Sequence, residues 1–199
     1  MRRIVLFVED SGHDQFLKAM VQRFSGLYDV PVKVLPRSIR GGHGRVTTQL
    51  KQFLRDLQHQ QEPIPDLIIV ARDANCQGIA NRERELREVS NNFDQVRDKI
   101  IYAIPDPHIE RWLLLDSAAF KEVLGKGCAA PDRKCVRDRY KNFLLNAIRE
   151  TEVEPLLGGI EYAEDIVNSM DINRMKTIDV SLGKLLIDLE QWFKKWQQT

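Results

Sequence analysis

The sequence predicts an α/β fold in which a mostly parallel sheet is flanked by helices. Short apolar, β-branched runs alternate with segments of helical periodicity over the first 125 residues. Such continuous apolar runs are typical of strands that are buried on both faces of a parallel sheet. The later residues show helical periodicity only. We therefore expect an α/β domain over residues 1–125 and a helical C-terminal extension over residues 126–199, packed together as one structural unit.

Four strands are predicted, and each is followed by a segment with a helical pattern. The first run, residues 4–8, and the third, residues 67–71, consist of apolar residues only. In the second run Pro31 lacks the amide hydrogen that a central strand needs, so this strand is expected near an edge of the sheet. The four predicted strands cover residues 4–8, 30–35, 67–71 and 100–104.

Helices are predicted where apolar residues recur every three or four positions. Ser11 is the expected cap of the first helix. Asp106 and Pro107 are expected to open the helix after the fourth strand, because Asp is a good N-cap and Pro suits the first helical position. The other predicted helices lie around residues 50–57 and at 81–91, 116–125, 136–149, 162–170 and 182–196.

Composition limits the class of protein and its surroundings. Charged residues make up 30% of the chain, but the formal net charge is only +1, so the whole molecule is not a polycation. No apolar run approaches the roughly 20 residues of a membrane span, and the run at 4–8 is too short for a signal peptide. We therefore expect a soluble, cytoplasmic protein without membrane contact. The three cysteines fit a reducing compartment, in which free thiols are expected.

Two acidic residues follow predicted strands directly, Glu9 after the first and Asp73 after the third. Ligands of open α/β sheets bind outside the carboxyl ends of the strands, so this position makes both residues candidates for a site. Asn75 offers an amide oxygen two residues further on. Because Mg²⁺ prefers oxygen ligands, we expect Glu9, Asp73 and Asn75 to hold Mg²⁺ or Mn²⁺. The alternative is that Asp73 only caps the following turn.

Two further residues are candidates for the same edge of the sheet. Glu110 follows the fourth strand and lies about one turn into the expected helix, from where it would point back toward the site. The alternative for Glu110 is an ordinary surface charge of that helix. His13 is a candidate general base beside Glu9, although the commoner role at this position is that of a helix-start residue.

A basic, glycine-rich segment spans residues 37–45. Glycines allow backbone amides to approach an anion, and arginine or histidine side chains add positive charge. The segment lacks the Gly-Lys-Ser/Thr sequence of a P-loop, so a solvated loop is the alternative to a phosphate contact. The candidate contacts to phosphate or nucleic acid are Arg37, Arg40, His43, Arg45 and Arg72.

Three segments carry a resemblance to a known family. The sequences of residues 5–9 and 67–75 resemble the two motifs of Toprim domains, a glutamate after the first strand and Asp-x-Asp after a later one. Residues 104–116 are similar to a Pro-x-x-x-Ile-Glu-x-Trp-Leu-Leu-x-Asp signature of a Toprim-like bacterial family of unknown function, often called DUF4276. The resemblance covers residues 4–116 and implies a Toprim-like, Rossmannoid sheet.

The resemblance also implies a function. Toprim nucleases carry out magnesium-dependent phosphodiester chemistry, and proteins of this family often accompany a partner ATPase in phage-defence operons. By position, Glu9 would be the acid/base or first metal ligand, Asp73 a metal ligand and Glu110 a further site carboxylate. The implied substrate is nucleic acid, with DNA favoured over RNA. Homo-oligomer formation is left open.

The chain departs from the family pattern at two positions. Asp10 stands where a glycine is usual, and Asn75 stands where the second aspartate is usual. The second change removes one negative charge from the expected metal site and weakens the case for two-metal catalysis. The alternative to a nuclease is therefore a catalytically degenerate Toprim-like module that acts as a regulatory or docking subunit.

Overall fold

A four-stranded parallel sheet lies at the centre of the computed structural model, which describes residues 1–38, 45–59, 61–136 and 138–199. The strand order is β2-β1-β3-β4, and all three neighbouring pairs are parallel. This confirms the predicted α/β fold. The second strand lies at an edge of the described sheet, as predicted, but it begins at Val32, so Pro31 precedes the strand and does not explain its edge position. The strands are β1 (Arg2–Val8), β2 (Val32–Ser38), β3 (Leu67–Ala71) and β4 (Ile100–Ala103).

Helices connect the strands and continue beyond the sheet as the predicted C-terminal helical extension. None of the helices in the described ranges is both long enough and apolar enough to cross a lipid bilayer. Their bounds are α1 (Ser11–Tyr28), α2 (Val46–Gln58), α3 (Ile79–Ser90), α4 (Asp94–Arg97), α5 (Ile109–Leu114), α6 (Ser117–Leu124), α7 (Arg139–Arg149), α8 (Ala163–Ser169), α9 (Ile172–Ile178) and α10 (Val180–Gln197), with a short 3₁₀ helix at Ile160–Tyr162.

Several helices begin at residues other than those predicted, and for two of them a local contact gives the reason. The N-cap of α1 is Asp10 rather than Ser11, because the Asp10 carboxylate accepts a hydrogen bond from the His13 backbone N–H at 3.0 Å. Helix α5 begins at Ile109, two residues later than expected. The carbonyl of Pro107 is occupied by a hydrogen bond from a backbone N–H after β3 and therefore does not join the helical pattern.

Side chains alternate between the two faces of the sheet and enter two separate cores. In β1, Ile4 and Leu6 pack against α1 and the C-terminal helices, whereas Val5 and Phe7 pack against α2 and α3. Helix α1 shares the first core with α10, where the aromatic rings of Phe24 and Phe193 lie 5.8 Å apart. Burying side chains of this size contributes about 1.5–3 kcal/mol each, so the extension shares a substantial core with the sheet domain.

Candidate functional site

Glu9 and Asp73 meet at the carboxyl edge of the sheet. They follow the adjacent strands β1 and β3, whose last residues pair in register. The backbone N–H of Asp73 donates a hydrogen bond to Glu9 Oε2 at 3.3 Å. Both side chains are buried, with exposed fractions of 8% and 6%. The structure thus brings together the two residues on which the predicted site depends.

Two histidines flank the Asp73 carboxylate, one on each oxygen. His13 Nε2 lies 3.1 Å from Oδ1, and His108 Nδ1 lies 2.9 Å from Oδ2. The other ring nitrogen of His13 hydrogen-bonds the Asp10 carboxylate at 2.8 Å. These contacts form a continuous chain from Asp10 through His13 and Asp73 to His108. We call this set the carboxylate–imidazole chain.

The charges along this chain support one another. Burial of His13 lowers its pKa, but the carboxylates of Asp73 and Asp10 outweigh burial and raise the pKa well above its usual value. Burial raises the pKa of the two acids, Asp10 and Asp73. The contacts with His13 outweigh burial, so the pKa of Asp10 falls to about 2 and that of Asp73 is also lowered. His13 is therefore a buried cation held between two anions. The Asp73 hydrogen bond also raises the pKa of His108.

An open cleft of about 660 Å³ lies over this edge of the sheet. Glu110, in the first turn of α5, lines the cleft, and partial burial, with the nearby charge of Asp73, raises its pKa. The side chain thus faces the predicted site. The cleft is lined by Asp10, Asp73, Asn75, Cys76, His108, Glu110, Cys135, Val136, Asp138, Tyr140 and Lys141.

The loop that follows β3 is fixed by several hydrogen bonds. Asn75 has a positive φ of 49°, a conformation that Asn tolerates better than most residues. Its backbone N–H donates to the Pro107 carbonyl at 3.0 Å, and its side-chain amide lies 3.4 Å from the Asp73 carbonyl. Arg82 Nε donates to the same carbonyl at 3.1 Å. The position of Asp73 is therefore set by the strand, by α3 and by the loop before α5.

Arg72 and Arg37, two of the predicted phosphate contacts, do not line the cleft. Arg72 is buried and forms an ion pair with Glu85 at 2.7 Å, which ties the end of β3 to α3. Arg37 pairs with Glu62 and lies over the ring of Phe53, with 4.7 Å between the guanidinium and the ring centre. Both arginines serve contacts within the fold.

The remaining predicted basic contacts are placed differently. Arg45 is exposed at the start of α2 and does not line the cleft either. Arg40 and His43 lie outside the described residues. A cation that does line the cleft is Lys141 of α7, and no ion pair of Lys141 is found within the described part of the chain.

One side of the cleft, which was not predicted, is lined by Cys135 and Val136. They lie at the end of a segment, residues 126–136, that is neither helix nor strand and that we call the cleft wall. Tyr140 connects it to the carboxylate–imidazole chain. Its hydroxyl accepts a hydrogen bond from the Lys134 N–H at 2.7 Å, and its ring centre lies 5.8 Å from that of His108. These residues could not be predicted from their position after a strand, because they reach the site from the C-terminal extension.

The prediction of free thiols is wrong for two of the three cysteines. Cys76, in the loop after β3, is disulfide-bonded to Cys135 in the cleft wall, 59 residues further along the chain. Cys128 is free. Cysteine count and spacing did not reveal the pair, because only the tertiary fold brings these two segments together.

The residues around the cleft bear on the predicted metal site. Among the residues that the structure describes, no three His, Cys, Asp or Glu side chains are grouped so as to hold a metal ion. Zinc sites usually need three or four such ligands. Magnesium usually takes one or two carboxylates and keeps several waters. Of the predicted ligands, Asp73, Asn75 and Glu110 line the cleft, whereas Glu9 is not among the lining residues and accepts a hydrogen bond from the backbone N–H of Asp73.

Comparisons with known proteins assign no family. No family model matches the chain, and neither a curated protein nor a solved structure matches it. The Toprim resemblance therefore depends on the three sequence segments quoted above, and it stays a prediction.

Proposed function

We propose that this protein is a magnesium- or manganese-dependent phosphodiester hydrolase that acts on nucleic acid, with DNA favoured over RNA. The observation that carries the proposal is the contact between Glu9 and Asp73, 3.3 Å from Oε2 to the backbone N. Parallel sheets of this kind bind ligands at the edge where these residues meet. Glu110 supplies a third carboxylate in the same region.

One or two of the carboxylates of Glu9, Asp73 and Glu110 would hold the cation, with Asn75 beside them and water completing its coordination. Both Asp73 oxygens accept hydrogen bonds from imidazoles, but a carboxylate oxygen has a second lone pair for another partner. A divalent cation bound there would supply positive charge to a phosphate oxygen. The buried imidazole of His13 holds the Asp73 carboxylate in one orientation.

The chain's own residues offer two groups for a phosphate. His108 lines the cleft, and its Nδ1 contact fixes the ring on Asp73. Lys141 contributes an ammonium group from α7. Such positively charged donors bind phosphate oxygens as point charges. Together they give a largely acidic cleft two groups that favour an anionic substrate.

The Toprim resemblance extends the proposal beyond the cleft. The resemblance of residues 4–116 implies a role as the effector partner of an ATPase in phage defence. This role is tested by co-purifying the protein with the product of any neighbouring ATPase gene. The expected cytoplasmic location has a different basis, the composition of the chain.

A second candidate function is a non-catalytic regulatory or docking module. One feature favours it: both oxygens of Asp73 are already engaged by His13 and His108. In addition, Asn75 stands where the resemblance implies a second aspartate, which removes one negative charge. A module of this type would bind a cation or partner at the cleft without cleaving nucleic acid.

Cleavage assays separate the two candidates. Plasmid, linear DNA and RNA are incubated with the protein and Mg²⁺ or Mn²⁺, alone and with the partner ATPase. The nuclease proposal expects cleavage that Glu9→Gln or Asp73→Asn abolishes. Asp98→Asn and Glu88→Gln are matched controls, because both residues are exposed and neither lines the cleft.

Each outcome has a defined meaning. Cleavage that survives both site variants contradicts the assignment of Glu9 and Asp73. Cation binding without cleavage supports the docking module. Absence of both cation binding and cleavage rejects the two candidates together.

A further inference from the structure

The cleft carries a second chemical feature, a disulfide at its rim. Cys76 and Cys135 are bonded, with 5.4 Å between their Cα atoms, a separation that is ordinary for disulfides. Both residues line the cleft. We propose that this pair is a reversible thiol–disulfide switch that fastens the cleft wall to the loop carrying Asp73. The proposal does not depend on whether the cleft cleaves nucleic acid.

Cys76 stands on a fixed part of the fold. It follows Asn75 directly, in the loop that two backbone hydrogen bonds hold to the segment before α5. These run from Ala74 N to the Pro105 carbonyl at 2.8 Å and from Asn75 N to the Pro107 carbonyl at 3.0 Å. Reduction of the disulfide therefore leaves this side of the pair in place.

Cys135 lies in the cleft wall, which side-chain contacts hold to the rest of the fold. Before it, Arg111 donates to the Pro131 carbonyl at 3.3 Å, and Arg133 pairs with Asp179 at 2.9 Å. Arg133 is 41% exposed, while its partner Asp179 is fully buried. The buried Tyr140 hydroxyl also accepts from the Lys134 N–H at 2.7 Å and lies 3.0 Å from the carbonyl oxygens of Asp132 and Lys134. The residues from Asp132 to Val136 are all exposed. The disulfide at Cys135 is therefore the covalent tie of an exposed segment that is otherwise held by side-chain contacts alone.

The pair is also accessible to a reductant. Cys76 and Cys135 are both in exposed positions, whereas burial raises the pKa of Cys128 to about 11 and keeps that thiol unreactive. Exposed disulfides are the labile, regulatory ones, and disulfides of reducing compartments are usually transient.

The reaction is thiol–disulfide exchange with a dithiol reductant. One thiolate of the reductant attacks a sulfur of the pair, the Cys76–Cys135 bond breaks, and a mixed disulfide forms. The second thiol of the reductant then displaces the protein thiolate. In total, two electrons and two protons pass to the protein, which gains two thiols, and the reductant leaves as its own disulfide. In the reduced protein the cleft wall is held by non-covalent contacts alone.

The test measures the cysteine state and the mobility of the wall in the same samples. The native protein is treated with an oxidant or with dithiothreitol, free thiols are trapped and identified by mass spectrometry, and the samples are digested briefly with trypsin. We expect reduction without denaturant and about tenfold or faster cleavage after Arg133 and Lys134, since a disulfide typically contributes a few kcal/mol. Cleavage at Lys51 in α2 should not change.

Two variants complete the test. Cys76→Ser/Cys135→Ser should be cleaved rapidly at the wall under both conditions, whereas Cys128→Ser should respond as the wild type does. The proposal is overturned if oxidised protein still contains free thiols at positions 76 and 135. It is equally overturned if the pair can be reduced only after unfolding, or if wall cleavage is the same in both states. None of these results bears on nuclease activity.

Discussion

His13 Nε2 lies 3.1 Å from Asp73 Oδ1, so a fully buried imidazole supports the carboxylate at the end of β3. This contact and its counterpart with Asp10 give the site its fixed geometry. The pKa of His13 is raised by these two acids, so the pair is a buried ion pair rather than a neutral hydrogen bond. Its removal should therefore be measurable as a loss of stability.

His13→Leu is predicted to lower the free energy of unfolding by roughly 3–5 kcal/mol, the usual cost of leaving a buried charge without its partner. The measurement is urea denaturation at neutral pH. His108→Leu is the matched comparison, because it removes the other imidazole of Asp73 from a side chain that is 24% exposed. It should cost clearly less. Equal losses for the two variants would contradict the assigned role of His13.

Asp179 should make stability depend on pH in the acid range. Burial raises its pKa, but Ser181, Leu182 and Arg111 outweigh burial and lower the pKa to about 2, from an ordinary value of 3.8. A carboxylate with a lowered pKa stabilises the fold at pH values above its ordinary pKa. This stabilisation is lost as the pH falls from about 4 to about 2. The expected loss is about 2 kcal/mol.

The variant Asp179→Asn checks this prediction. Because asparagine does not titrate, the stability of the variant should fall less steeply between pH 4 and pH 2 than the stability of the wild type. Urea denaturation measures both. Asp188→Asn, on the same helix, is the control and should retain the wild-type slope. Parallel curves for wild type and Asp179→Asn would show that this carboxylate is not responsible.

Alanine substitutions at two glycines in long helices should change the stability of the protein in opposite directions. Gly26 in α1 has open space around the position of a Cβ atom, so Gly26→Ala should stabilise by up to about 1 kcal/mol through helix propensity. Gly183 in α10 lies against the Lys176 carbonyl, and a Cβ would overlap that oxygen. Gly183→Ala should destabilise by about 1–3 kcal/mol. Thermal unfolding of both variants is the check, and stabilisation at both positions would contradict the packing of α9 on α10.

Reduction of the Cys76–Cys135 bond should lower global stability as well as free the cleft wall. The bond closes a loop of 59 residues, for which chain entropy predicts about 4 kcal/mol. Urea denaturation with and without dithiothreitol measures the difference, and Cys128→Ser should show the same shift as the wild type. If Cys76→Ser/Cys135→Ser still loses stability with dithiothreitol, the effect has another origin.

Much of the fold could be predicted from local pattern. Apolar runs such as 67–71 identified the buried strands, because this signal depends only on the residues of the strand itself. The start of α5 could not be predicted in this way. Asp106 and Pro107 have the residue types of a helix start, but pairing with the loop after β3 takes the Pro107 carbonyl. Tertiary pairing thus overrode a local preference.

The site could be predicted in part for the same reason. Glu9 and Asp73 were found because the carboxyl ends of parallel strands share one edge. His108 lay within the segment that drew attention to Glu110, but nothing in the sequence indicated that its ring reaches Asp73. Lys141 and Cys135 come from residues beyond the sheet, and their arrival at the cleft depends on how the C-terminal extension packs.

The most direct test of the central claim is a titration of the protein with Mn²⁺, followed by the loss of the free-ion signal in electron paramagnetic resonance. The account predicts saturable binding of Mn²⁺ by the wild type and by Asp98→Asn, competition by Mg²⁺, and loss of binding in Glu9→Gln and Asp73→Asn. Circular dichroism would show that the variants remain folded. Mn²⁺ binding that is absent from the wild type, or unchanged in both site variants, would contradict the assignment of this sheet edge as a cation site.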